Sequence, residues 1–175
     1  MSKERIVIVC PGRGSYTRDT SNYLSQHSKN ITQEIKWMDE ERDKHDKPLI
    51  TYLDSLPFKS RIHMVGENAS SLIFACSLSD FYSLDTAKYE TVAITGNSMG
   101  WYTSLVLSGS LNVENGFHLI ETMGSMMKDK IIGGQLIYPI VNDNWEINQR
   151  ASDSVTDAIK NKDMYISIKL GGYIV

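Results

Sequence analysis

Thr91-Val92-Ala93-Ile94-Thr95-Gly96-Asn97-Ser98-Met99-Gly100-Trp101-Tyr102 is the stretch that decides how the chain is read. A β-branched run leads straight into G-x-S-x-G, and a helix-compatible run, residues 102–107, follows. Strand, turn and helix in that order lift a serine out of a sheet. Its hydroxyl is then exposed and the next backbone N–H lies at a helix N-terminus. Gly96 and Gly100 permit the strained turn and the close strand–helix approach, where a Cβ would clash. Ser98 is therefore the candidate nucleophile; a bland glycine-rich turn is the alternative.

Upstream, residues 6–10, Ile-Val-Ile-Val-Cys, form a continuous apolar run ending at Pro11-Gly12. Such a run predicts a fully buried strand of a parallel sheet. The loop Pro11-Gly12-Arg13-Gly14-Ser15-Tyr16 follows at once. As a dinucleotide fingerprint it fails, because G-x-G-x-x-G needs glycine where Thr17 stands. The other reading is that its backbone N–H groups face a reacting oxygen, as half of an oxyanion hole.

Residues 19–46 are polar and helix-compatible, anchored by Tyr23, Leu24, Ile31, Ile35, Trp37 and Met38. The mixed-sign run 39–47 predicts a solvated helix end, with His45 inside it. A short amphipathic helix over 49–56 stops at Pro57, and His63 falls in a connection. Asn68 opens a helix running to Leu84 that is small or apolar nearly all round, as a buried helix would be. Asn112 caps a further helix whose stripe is Val113, Phe117, Ile120, Met123/Gly124 and Met127; His118 lies off that stripe and is expected to be partly exposed. Gly133-Gly134 mark a boundary. Beyond it the patterns give a strand over 135–141, a helix over 148–160, a strand over 164–170 and the start of another at 173–175. That β-α-β-β order opens a split βαβ unit.

With 175 residues, 41% apolar and 22% charged, the chain is long enough for one domain with a small appendage. A net charge of −3 gives no reason to propose nucleic acid as a partner. The five-residue apolar core near the start is too short for a signal peptide, and no segment approaches the ~20 residues needed to span a bilayer, so no membrane partner is expected. Cys10 and Cys76 lack metal or C-x-x-C spacing and are expected to be buried, reduced thiols, which fits a cytoplasmic protein. No metal site and no bound cofactor are expected.

The glycine loop and the serine motif together resemble the acyl-carrier-protein S-malonyltransferases, the acyltransferase fold of fatty-acid and polyketide synthesis. Cys10-Pro11-Gly12-Arg13-Gly14-Ser15-Tyr16 stands for the family's F-P-G-Q-G-S-Q, and Gly96-Asn97-Ser98-Met99-Gly100-Trp101-Tyr102 for its G-H-S-L-G-E-Y. Leu107-Ser108-Gly109-Ser110-Leu111 matches its A-G-x-L. The resemblance covers almost the whole chain. It implies an α/β fold: a parallel-sheet, α/β-hydrolase-like core with a nucleophile elbow over residues 1–132, and an incomplete ferredoxin-like small subdomain over 133–175.

The resemblance also implies a ping-pong reaction. Ser98 takes an acyl group from malonyl-CoA or another acyl-CoA and passes it to the phosphopantetheine thiol of an acyl-carrier protein. The backbone N–H groups of Arg13 and Met99 form the oxyanion hole. Gly12 and Gly14 of the loop, with Asn68, Asn97 and Met123, line the substrate site. Asn68 replaces a family glutamine and Asn97 the histidine before the serine. Met123 replaces the arginine that binds the malonyl carboxylate. That substitution predicts either an uncharged acyl group or a substitute cation, for which Arg13 is the candidate. The family's catalytic histidine has no counterpart among His27, His45, His63 and His118. The chain accordingly reads as the N-terminal part of a longer enzyme. Two alternatives remain: a non-catalytic remnant that holds a carrier protein, and a serine esterase or thioesterase, which would need a histidine after His118.

Overall fold

The computed structural model describes residues 2–126, 128, 134–161 and 164–175. Met127 and Gly133, used above as a stripe position and a boundary, lie outside these residues. The chain divides into two compact units, Met1–Lys130 and Ile131–Val175.

The first unit is built on two parallel strands, β1 (Glu4–Cys10) and β2 (Tyr89–Gly96), paired from Glu4↔Tyr89 to Cys10↔Gly96 with a register shift at Ile6/Val7. Parallel neighbours need a long crossover. Here it contains α1 (Tyr23–His27), α2 (Thr32–Asp43), α3 (Ile50–Ser55), α4 (Ser60–His63) and α5 (Gly66–Tyr82), with 3₁₀ turns at Arg18–Thr20 and Ser28–Ile31. After β2 come α6 (Gly100–Leu107) and α7 (Val113–Ser125). The polar stretch 19–46 is thus several short pieces, not one helix. Asn22, at φ 66°, turns the chain between the first two of them.

The centre of this unit is α5, buried nearly all round as its composition predicts: Ala69, Leu72, Phe74, Ala75 and Leu78 are fully enclosed. It packs on α7, where Phe117 and Ile120 meet it, and the Phe74 and Phe117 rings lie 6.2 Å apart. Each of the leucine, isoleucine and phenylalanine side chains among them contributes ~1.5–3 kcal/mol by leaving water. The helix begins at Gly66 rather than Asn68, which lies in its first turn. The Asn112 cap holds as expected, its side chain accepting from Asn115 N at 2.8 Å.

Several expectations need correction. The run 39–47 is not simply a solvated helix end. Arg42 is only 1% exposed, because its guanidinium satisfies buried acceptors on α5 and α7. His63 is not in a loose connection. It ends α4, fully buried and stacked between the rings of Tyr16 and Phe58. Strand β1 is not buried on both faces: Ile8 and Cys10 turn inward, but Val7 and Val9 are 56% and 66% exposed. No further strand covers that side among the described residues. Cys76 is half-buried rather than buried.

The second unit holds α8 (Gln149–Asn161) and one antiparallel pair, β3 (Tyr138–Pro139) with β4 (Tyr173–Ile174). The expected strand over 135–141 shrinks to two residues. That over 164–170 is reduced to an isolated bridge, Lys169↔Ile174. Leu136 and Tyr165 are 70% and 87% exposed, so these segments lack the buried face that makes a strand cooperative. Among the described residues, no helix is long and apolar enough to cross a membrane.

Candidate active site

Ser98 lies between the last residue of β2 and the first of α6, exposed, with a left-handed φ of 53°. Few non-glycine residues adopt that conformation, and such strain persists only where the surroundings impose it. Here they do. A Cβ on Gly96 would lie 2.1 Å from the Gly100 carbonyl, and one on Gly100 would lie 2.1 Å from the Cys10 carbonyl oxygen. The two glycines let the strand end, the helix start and β1 close on one another, as the sequence pattern predicts. Asn97 N donates to Cys10 O (3.1 Å) and Gly100 N to Asn97 O (2.8 Å), so the backbone on each side of Ser98 is pinned.

The glycine loop lies against this turn. The Cβ position of Gly12 falls 3.3 Å from Asn97 O and 3.6 Å from Ser98 Cβ. Arg13, the next residue, is exposed, and Gly14 faces open space. The Met99 side chain is buried in the core. Among the described residues, neither Arg13 N–H nor Met99 N–H has a hydrogen-bond acceptor, and Ser98 Oγ has no partner. Asn97 is exposed and Met123 half-buried.

Asn68, expected to line the substrate site, lies in the first turn of α5. It is buried, with Oδ1 accepting from Arg42 (2.9 Å) and Nδ2 donating to Ile62 O (3.1 Å), so its amide serves the core. No histidine is hydrogen-bonded to Ser98. His63 uses both ring nitrogens on the backbone of Lys59 and Leu53, His118 lies edge-on to Trp37, and His27 and His45 are exposed. Among the described residues, no cluster of His, Cys, Asp or Glu is placed to hold a metal ion.

Sequence reading missed the pairing of Gly66 with Gly124, where the backbones of α5 and α7 come close. A Cβ on Gly66 would meet Gly124 O at 2.7 Å, and one on Gly124 would meet Gly66 O at 2.9 Å. The signal was one glycine in each helix, but nothing local pairs them. Arg42 was missed for the same reason.

A serine in a left-handed strand–helix turn, with a glycine loop against it, is the arrangement on which the solved-structure comparison bears. An acyl-carrier-protein S-malonyltransferase from Vibrio cholerae superposes with a TM-score of 0.66 at 18% identity, over 96% of this chain and 53% of its own. A second, from Bartonella henselae, gives 0.63 at 17%, over 97% and 53%. The chain has the fold of the acyl-carrier-protein S-malonyltransferases. A type II polyketide malonyl-transacylase in complex with its acyl-carrier protein matches at 0.65 and 17%, over 98% and 54%. The chain spans about half the length of these structures. No protein-family model and no curated protein sequence matches it.

Proposed function

We propose that the chain carries the nucleophile half of an acyl-transfer site. Ser98 Oγ attacks the carbonyl carbon of an acyl thioester such as malonyl-CoA. The new C–O bond forms as the C–S bond breaks, and the serine proton leaves with the thiol. The phosphopantetheine thiol of an acyl-carrier protein then attacks the acyl-serine, and the proton returns to Ser98. The unpaired N–H groups of Arg13 and Met99 receive the oxyanion in both steps. The observation that carries this reading is the left-handed, exposed Ser98 between two sterically obligatory glycines. The shared fold supports it.

Without an imidazole on Ser98 the reaction is slow, because an unassisted serine is a weak nucleophile at neutral pH. Incubation with malonyl-CoA and with acetyl-CoA, followed by intact-mass and peptide analysis, is expected to place an acyl ester on Ser98. Equal labelling of Ser98→Ala would refute the nucleophile. The lack of any histidine at Ser98 favours a second reading, a carrier-protein-binding module without chemistry. In that case the chain co-elutes with acyl-carrier protein yet never carries an acyl group.

A further inference from the structure

The glycine loop is held at both ends, in two different ways. Ser15 N and Ser15 Oγ both donate to Gly12 O, at 3.3 and 3.1 Å, closing a turn over Gly12-Arg13-Gly14-Ser15. That closure uses the Gly12 carbonyl and the Ser15 N–H, and leaves the N–H groups of Arg13 and Gly14 outside it. At one end the Cβ position of Gly12 lies 3.3 Å from Asn97 O and 3.6 Å from Ser98 Cβ, so the turn rests on the serine. At the other end stands Tyr16, 4% exposed and the one buried residue between Cys10 and Leu24.

Tyr16 is gripped by its hydroxyl and by its ring. The phenol donates to Asp54 Oδ1 at 2.7 Å. Asp54 is itself buried on α3, with Oδ2 accepting from Ser25 N at 3.3 Å and its carbonyl oxygen from Asn22 N at 3.0 Å. The Tyr16 ring stacks on His63, 5.7 Å between centroids and 8° from parallel, and His63 stacks on Phe58 at 5.3 Å. His63 is fixed too, with Nε2 2.9 Å from Leu53 O and Nδ1 3.0 Å from Lys59 N. Tyr16 stands where the motif F-P-G-Q-G-S-Q ends in glutamine, so this grip is made by residues of this chain and not by the motif.

Two glycines leave the loop's backbone many conformations, and its own contact with the serine turn does not choose among them. An N–H aimed at a reacting oxygen helps only if it is in place beforehand, and a shift of about 1 Å can cost on the order of a hundredfold in rate. We infer that Tyr16 is a positioning residue of the site: its phenol, clamped to Asp54 and stacked on His63, holds the glycine loop so that the Arg13 N–H stays aimed at the carbonyl Ser98 attacks. This rests on the acyl-transfer reading above. Tyr16 touches no reacting atom; it acts through the backbone of Gly14 and Ser15.

Tyr16→Phe keeps the ring stack and breaks the bond to Asp54. Tyr23→Phe is the matched control, because it removes a phenol–carboxylate bond of the same kind, to Asp80 at 2.5 Å, away from the loop. On the full chain, acyl-Ser98 formation from saturating malonyl-CoA or acetyl-CoA is followed by intact mass. Binding of the same thioester to Ser98→Ala, with and without Tyr16→Phe, is measured by calorimetry. Tyr16→Phe is expected to lower the rate about tenfold, less than the loss of an oxyanion donor outright, and to leave binding unchanged. Tyr23→Phe is expected to change neither. Asp54→Asn, which keeps an acceptor for the phenol, is expected to retain the parent rate, and Tyr16→Phe in that background to lose it without stranding a buried carboxylate. Trypsin cleavage after Arg13, timed against cleavage after Lys36 on α2, reads the freedom of the loop without any thioester and is expected to quicken in Tyr16→Phe but not in Tyr23→Phe. A rate or a cleavage ratio unchanged in Tyr16→Phe, or an equal loss in Tyr23→Phe, overturns the inference while leaving acyl transfer standing. Absence of acyl-Ser98 from either donor refutes acyl transfer instead, and cleavage after Arg13 still decides whether Tyr16 holds the loop.

Discussion

Arg42 on α2 stands 2.5 Å from Glu121 on α7, and both reach the first turns of α5. Arg42 also donates to Asn68 Oδ1 and Ser71 Oγ, both at 2.9 Å, and to the carbonyl oxygens of Glu67 and Pro48. Glu121 in turn accepts from Lys47 and from Ser71. A buried charge is tolerable only when its donors are used and an opposite charge is near, and both conditions hold here. Because Glu67 and Asn68 follow Gly66 directly, this knot fixes where α5 crosses α7.

Removing one partner leaves the other buried and uncompensated. Arg42→Met is expected to cost about 3–5 kcal/mol, read as a lower urea midpoint. The double variant Arg42→Met/Glu121→Leu is expected to cost less than the sum of the two single changes, because it removes both charges together. Strict additivity would show that the two side chains do not act as a pair.

The same carboxylate predicts an acid limb. Burial pushes the Glu121 carboxyl up, but Arg42, Lys47 and Ser71 outweigh it and hold it below its ordinary value. A carboxyl lowered on folding adds stability that is fully present above the unfolded value, near ~4.3, and lost as pH falls through the folded one. The gap in melting temperature between the parent and Glu121→Gln is therefore expected to be constant from pH 7 to about 5 and to narrow below ~4. A gap that stays the same down to pH 3 would show that Glu121 is not held ionised.

How much of this was legible beforehand depended on range. The turn at Ser98, the two strands flanking the crossover and the buried character of α5 follow from local pattern, because a β-branched run, a G-x-S-x-G and a continuous apolar helix each specify their surroundings. Arg42 did not follow. In sequence it belongs to an unbroken charged run, and only the arrival of Asn68, Ser71 and Glu121 from other helices makes it a core residue. His63 is the same case, with its two stacking rings 47 and 5 residues away at Tyr16 and Phe58. The strands expected over 135–141 and 164–170 failed for the opposite reason. Their local pattern is sound, but little tertiary burial rewards it among the described residues.

At alkaline pH the sign reverses. The Tyr23 phenol donates to Asp80 at 2.5 Å, and this bond, with burial and the carboxylate's charge, pushes its pKa up to about 12. A phenol raised on folding contributes stability that is present below the unfolded value, near ~10, and lost as pH rises toward 12. Ultraviolet titration of the nine tyrosines is expected to show a late step near pH 12 that Tyr23→Phe removes. Burial, together with its bond to Asp54 at 2.7 Å, raises the Tyr16 phenol as well. A titration complete by pH 11 would contradict both bonds.

The steric reading of the serine turn can be separated from its chemistry with two alanines. At Gly100 a Cβ would stand 2.1 Å from Cys10 O and 2.7 Å from Cys10 C, both backbone atoms of a paired strand. Neither can move without shifting α6 off the sheet, so Gly100→Ala is expected to cost at least about 3 kcal/mol. At Gly14, on the facing loop, nothing lies within 4 Å and φ is not positive, so Gly14→Ala is expected to stay within about 0.5 kcal/mol. Urea midpoints for the two variants decide the matter. If Gly100→Ala unfolds at the same midpoint as Gly14→Ala, β1 and α6 do not approach this closely, and the left-handed Ser98 is left without the constraint that holds it.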